Sequence, residues 1–207
     1  MEIIIAIGAI ISAISAVPYV RGVMKGTVKP KVVSWFTWCL LAVLLTGAAL
    51  SSGQTMSAVM SSVTVMITAI VFFLGLRKGT LRLDKLDILC LAGAAIGIGV
   101  WLLLSNPALA IFVAVAVDII AFIPTIVHGW VAPEEESLLS YGFASVGSGL
   151  GLFAVGFSGA SASGLAYPMY ATIFNTVMVL LLTRETWLMY LTTLQPLKRN
   201  EETVVDR

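Results

Sequence analysis

The sequence predicts an all-α membrane protein. It reads as seven transmembrane helices, two parallel three-helix repeats joined by a linker helix, with the N-terminus outside and the C-terminus cytoplasmic. Three observations predict this. First, of the 207 residues 59% are hydrophobic and only 11% are charged, at a mean hydropathy of +1.02, whereas an average soluble domain carries roughly 25% charged residues. That is too little charge to coat a water-facing surface, which excludes a soluble globular domain, and too much apolar content for a disordered chain. Second, all 12 lysines and arginines fall where an odd number of spans puts them on one side. Third, the chain matches itself at a shift of 106 residues, the spacing of Pro18 and Pro124.

A net charge of +1 gives no basic field for nucleic acid. The 2 cysteines, Cys39 and Cys90, lie inside apolar runs and suggest neither a disulfide framework nor a metal site. No cofactor is implied.

A bilayer core of ~30 Å needs about 20 apolar helical residues. Runs of that kind lie near 3–21, 33–51, 56–76, 87–104, 108–128, 138–157 and 164–183. The first resembles a signal peptide, with Ala13-Ile14-Ser15 as a small-residue cleavage site, but the residues before it include Glu2 and no Lys or Arg. The repeat also requires it as a helix, so it is read as the first span. Turn chemistry separates the runs: Lys25-Gly26 through Pro30, Ser51 to Gln54, Arg77-Lys78-Gly79, Ser105-Asn106-Pro107, Pro133 to Glu136, and Ser158 to Ser163. A segment at 186–194, with Trp187 and Tyr190, extends the last helix or lies at the interface. The chain thus divides into a first bundle at 1–80, a linker helix at 81–107, a second bundle at 108–185 and a cytoplasmic tail at 186–207.

Arg21, Lys25, Lys29 and Lys31 fall between spans one and two, and Arg77, Lys78, Arg82 and Lys85 between three and four. Arg184, Lys198, Arg199 and Arg207 follow span seven. Seven spans put all of them on one side, which the positive-inside rule makes cytoplasmic, and six or eight would split them. Expected localisation is the cell membrane.

The shift superposes span one on five, two on six and three on seven. Pro18 meets Pro124, Ser34 meets Ser140, Trp35 meets Tyr141, Ser52-Gly53 meets Ser158-Gly159 and Ser57 meets Ser163. Span four is left over, and an odd linker makes the second triplet enter the membrane from the same side as the first.

A proline near the inner end of the first helix, a short polar loop, then Ser-Trp or Ser-Tyr opening the second helix resembles the PQ-loop superfamily. The matching stretches are Pro18-Tyr19 through Ser34-Trp35 and Pro124-Thr125 through Ser140-Tyr141. The three-one-three arrangement is similar to SWEET sugar facilitators and to PnuC vitamin transporters, over residues 3–183 or so. The glutamine of the name-giving motif is replaced by Tyr19 and Thr125. SWEETs carry an asparagine in the middle of spans three and seven; Asn175 matches the second, while Ala69 stands at the first. The resemblance implies a transporter of a sugar or similar metabolite.

Asp118 sits ten residues into span five, which at 1.5 Å per residue is ~15 Å deep, near the midplane. A carboxylate there costs about 2.5–3.5 kcal/mol on the permissive insertion scale, so it normally faces an aqueous cavity or a partner. It binds a cation or cationic substrate, cycles a proton, or makes a helix-to-helix hydrogen bond. Asn175 lies at nearly the same depth and offers its amide to a solute or to a neighbouring helix. Pro18 and Pro124 each release the carbonyl four residues earlier, a matched pair suited to be hinges. Trp35 and Trp38 share a face, and with Tyr141, Tyr167 and Tyr170 they divide between pocket and membrane anchor. Ser57, Ser61, Thr64 and Thr68 form a polar stripe for packing or for a path. Gly93/Gly97 and Gly147/Gly151 read as helix contact faces. Trp101, Trp130 and Trp187 read as interface anchors, Glu134 to Glu136 as a solvated inner loop, and His128 as interfacial.

These features point to a multi-pass transporter of a small polar solute by alternating access, proton coupling left open. Expected partners are the solute and the bilayer. A chain with both repeats can work alone, and a homo-oligomer stays open. The alternative from another class is a non-transporting receptor or assembly factor on the same fold. The short outer loops offer such a receptor little surface. With no paired histidines, Ser/His dyad or metal-spaced cluster, an enzyme is not expected.

Overall fold

Helices occupy each of the seven apolar runs in the computed structural model of the chain, which describes residues 2–51, 55–79, 83–103, 107–159 and 162–189. The described residues are all-helical, with no strand: α1 (Glu2–Ile14), α2 (Ala16–Lys25), α3 (Val32–Ser51), α4 (Thr55–Lys78), α5 (Lys85–Leu103), α6 (Pro107–Val131), α7 (Leu138–Phe157) and α8 (Ala162–Leu182), with a 3-10 turn at Pro133–Glu135. Among them, Ile3–Lys25, Ile111–Val131, Leu138–Phe157 and Gly164–Leu182 are long and apolar enough to cross a membrane, and Val32–Leu44 is a shorter apolar stretch. Ile3, Ile96, Leu103 and Phe157 are strongly exposed on the outer faces. Such exposure is unfavourable in water and natural in lipid. The Ser52-Gly53 repeat pair, Arg82, Tyr190, the terminal basic residues and the side chains of Ser57, Ser61 and Trp101 lie outside the described residues.

The two repeat prolines behave differently. The first run breaks at Ser15, between α1 and α2, three residues before Pro18. Pro18 has no N–H for the Ile14 carbonyl, and the Ser15 hydroxyl donates to Ser12 O at 2.5 Å, offering the backbone a local alternative to the helix ladder. Pro124 sits fully buried inside an unbroken α6. The residue matching Ser15 there is Ala121, which has no hydroxyl to compete. Elsewhere the ends follow local chemistry. Gly26 closes α2 with φ +78°, which favours glycine, and the Thr27 and Val28 amides donate back to Gly22 O. Asp84 and Asp87 open α5 reciprocally: the Asp87 amide donates to Asp84 Oδ1 at 2.9 Å, and the Asp84 amide to Asp87 Oδ2 at 3.1 Å. Ser137 caps α7.

The helices pack as a closed ring. The α1/α2 run contacts α4, α4 contacts α3, α3 contacts α6, α6 contacts α8, α8 contacts α7, and α7 returns to α1 and α2. The linker α5 packs outside this ring, on α6 and α3. Within each three-helix set the third helix lies between the first and second, and across the sets the first helix of each meets the second of the other. On one side of the ring α1 and α7 meet backbone to backbone: a Cβ added at Gly147 would stand 2.6 Å from Gly8 O and 2.7 Å from Ser12 N. At Gly151 the same addition meets nothing within 4 Å. On the opposite side Leu41 of α3 packs with Val117 of α6 in a small cluster shared with Ala94 and Ile98 of α5. Gly97 lets α5 approach Val117 closely, and Gly93 faces Ile120.

One end of the ring is solid. Tyr19, Val23, Val28, Val71, Phe122, Tyr141 and Met178 form its core, drawn from α2, α4, α6, α7, α8 and the loop after α2. The described basic residues gather at this same end. Lys29 pairs with Glu135, and the Lys78 ammonium donates to Met24 O. Arg184 Nη2 donates to Trp130 O at 2.8 Å while its guanidinium stacks over the Trp130 ring. Lys31 Nζ bonds Asp87 Oδ2 at 2.7 Å in a buried pair that ties the loop after α2 to the start of α5.

Candidate functional site

A cavity opens inside the ring beyond this solid end. It has two overlapping lobes of about 390 Å³ and 620 Å³ that share Ser15, Trp35, Trp38, Thr64, Phe122, Tyr167 and Asn175. Ligand pockets typically enclose roughly 300–1,000 Å³. Every ring helix contributes to the wall and the linker α5 contributes nothing. Asp118, Asn175, Trp35, Trp38, Tyr141 and Tyr167 all lie on it, brought from four helices by the ring. Pro18 and Pro124 lie off the wall.

The wall is apolar and aromatic, with few polar atoms. Among the described residues Asp118 is its one ionisable carboxylate, and the wall holds no Lys, Arg or His. Among the described residues no hydrogen bond or ion pair reaches the Asp118 carboxylate. Asn175 Nδ2 donates to Ala171 O at 2.7 Å, and its Oδ1 has no hydrogen bond among the described residues. The Thr68 hydroxyl donates to Thr64 O at 2.8 Å. Rings follow one another around the wall: Trp35 and Trp38 at 5.2 Å between centroids, Trp38 and Phe122 at 5.3 Å, Phe122 and Phe174 at 5.6 Å, Phe174 and Tyr170 at 4.9 Å, Tyr170 and Tyr167 at 6.1 Å. These are the tilted and edge-on distances that aromatic pairs favour. Phe122 and Phe174 were not singled out in the sequence, where a phenylalanine in an apolar run carries no distinguishing mark.

The cavity floor is a polar knot. Trp35 Nε1 donates to Tyr19 Oη at 3.2 Å, and the Tyr19 and Tyr141 hydroxyls both donate to Glu136 Oε2, at 3.2 and 3.0 Å. One layer on, the Thr125 hydroxyl donates to Ser34 Oγ at 2.9 Å, joining α6 to α3. Glu136 corrects the expectation of a solvated acidic loop: it is 7% exposed, and its Oε1 is buried with no partner. Glu134 alone of the three is exposed; Glu135 is part-buried against Lys29, with Glu135 Oε2 3.4 Å from His128 Nε2. Three acids in a row read as solvated; only the Ser137 cap, which fixes Glu136 just outside α7, hints that its side chain turns back under the ring. Burial pushes the Glu136 carboxyl up to about 8, further than the two tyrosine hydroxyls and the Ser137 amide pull it down.

The arrangement can hold a small solute between aromatic faces, give it one negative charge and one amide oxygen, and close beneath it. No family model matches the chain, and neither the curated proteins nor the solved structures contain a match to it.

Proposed function

We propose that the chain is a multi-pass membrane transporter that carries a small polar solute by alternating access. The observation that carries this reading is the solute-sized cavity at the centre of the helix ring, with Asp118 and Asn175 on its wall and a sealed floor. Seven spans are supported by helices at all seven apolar runs, α3, α4 and α5 being 20, 24 and 19 residues long. A duplicated three-one-three plan, resembling PQ-loop and SWEET proteins, is supported by the equivalent packing of the two three-helix sets and by α5 lying outside the ring. The gathering of basic residues at the sealed end supports, under the positive-inside rule, a cytoplasmic side there and an N-terminus outside. Substrate contacts fall to Asp118, Asn175, Trp35, Trp38, Tyr141 and Tyr167. Pro18 and Pro124 flank the floor and serve as hinges as Tyr19, Glu136 and Tyr141 part.

Uptake into proteoliposomes against a panel of sugars, amino acids, nucleosides and organic cations tests the reading, with and without a pH gradient. Accumulation of one class, lost in Asn175→Ala protein that folds normally, is expected. If no solute moves, the chain is a receptor or assembly factor instead. A flat response to the gradient removes proton coupling alone.

A further inference from the structure

The chemistry of the cavity wall says more than its volume. Some hydrogen-bond donors there are spent on their own helices: the Ser15 and Thr68 hydroxyls and an Asn175 amide N–H all donate to backbone carbonyls. The Tyr167 and Tyr170 hydroxyls remain, beside two acceptors, the Asp118 carboxylate and Asn175 Oδ1. A sugar presents hydroxyls around its whole rim and needs donors as well as acceptors from its site. It carries no charge to pair with the carboxylate.

What the wall offers in abundance is aromatic surface next to a single negative charge. Trp35, Trp38, Phe122, Phe174, Tyr170 and Tyr167 follow one another on it, and Asp118 lies on the same wall. The two faces of the cavity differ at matched repeat positions. Thr64 and Thr68 of α4 stand where α8 has Tyr170 and Phe174, and Ser12 of α1 stands where α6 has Asp118. Asp118, Phe122, Tyr167, Tyr170 and Phe174 therefore stand on α6 and α8, and the two indoles, Trp35 and Trp38, on α3. Ring faces attract cations electrostatically, most strongly when both are out of water, and indole is the best of the three rings. A cation also removes the cost of an unpaired carboxylate at membrane depth.

We infer that this cavity binds a small organic cation, a quaternary ammonium or protonated amine, with its charge at Asp118 and its alkyl or aryl groups against the rings. This rests on the transporter reading only in taking the cavity as the substrate site, and departs from the sugar that the SWEET resemblance implies.

The test uses the purified full chain in detergent with defined probes: tetramethylammonium, choline and benzylammonium as cations, 3,3-dimethylbutan-1-ol as the uncharged carbon isostere of choline, and glucose. Calorimetry and tryptophan fluorescence read binding. At least one cation is expected to bind, choline at least tenfold more tightly than its isostere if choline is the one. Asp118→Asn is expected to weaken cation binding at least tenfold, and Trp38→Leu severalfold, at unchanged elution volume and helicity. Should Asp118→Asn fail to fold, the cation-against-isostere comparison on the unmodified chain decides. Equal binding of choline and its isostere, or no binding of any of the three cations, overturns the inference. Glucose uptake without cation binding overturns it while the transporter reading stands. Cation binding with no uptake of any solute leaves it standing and removes transport.

Discussion

Glu136 allows a prediction whose size follows from the structure. Its carboxyl closes the floor of the cavity, 7% exposed, with Oε2 shared by Tyr19 and Tyr141 and Oε1 unpartnered. Burial raises it from 4.5 to about 8, so the folded chain keeps a proton that the unfolded chain releases. The sign follows: this contribution to stability is fully present below pH 4.5, falls as pH rises, and is gone above about 8. Each pH unit well inside that window is worth about 1.4 kcal/mol and less as pH nears 8, so the loss between pH 6 and pH 8 is about 2 kcal/mol. For a chain of this size that is a Tm drop of roughly 4–8 °C. Glu136→Gln has no proton to lose, and its amide oxygen still accepts from both tyrosines. Its Tm at pH 6 is expected within a few degrees of the parent, and its slope between pH 6 and 8 nearly flat by comparison. Thermal unfolding of both proteins in the same detergent, at half-unit pH steps, is the assay. Parallel curves across that range would refute the buried, protonated Glu136.

Two further predictions concern packing and charge. Gly147→Ala drives a methyl against Gly8 O and the Ser12 backbone, so it is expected to cost about 1–3 kcal/mol as an overpacked contact; Gly151→Ala, which meets open space, is expected to be nearly neutral in the same melting assay. Lys31→Met leaves the buried Asp87 carboxylate with one backbone amide for a partner and is expected to cost about 3–5 kcal/mol, most of it recovered in Lys31→Met/Asp87→Asn.

Polar residues were legible in this sequence because depth can be counted along an apolar run. Asp118 and Asn175 stood out against their neighbours, and the ring brings both to one cavity. Trp35 and Trp38 came from the shared helix face, but nothing in their spacing distinguished a cavity wall from a membrane anchor. Gly147 was readable as a contact position, yet its partner Gly8 was not, because which helix it meets depends on ring order, and ring order arises from packing between distant segments. The matched prolines suggested matched kinks. A hydroxyl is present at Ser15, where the first run is interrupted with its backbone still right-handed helical, and absent at Ala121 in the continuous α6. Glu136 was hidden by its own neighbours, since an acid beside two others reads as water-facing until the loop is seen folding under the floor.

Alternating access is tested most directly at Ala171, a small residue on the cavity wall beside Asn175. With Cys39 and Cys90 changed to alanine and Ala171→Cys introduced, the chain is placed in sealed vesicles of known orientation. A membrane-impermeant thiol reagent is then applied from either side in turn. A cavity that opens to each face in alternation requires modification from both sides, at rates that change in opposite directions when transported solute is added. Modification from one side only, whatever solute is present, would contradict it.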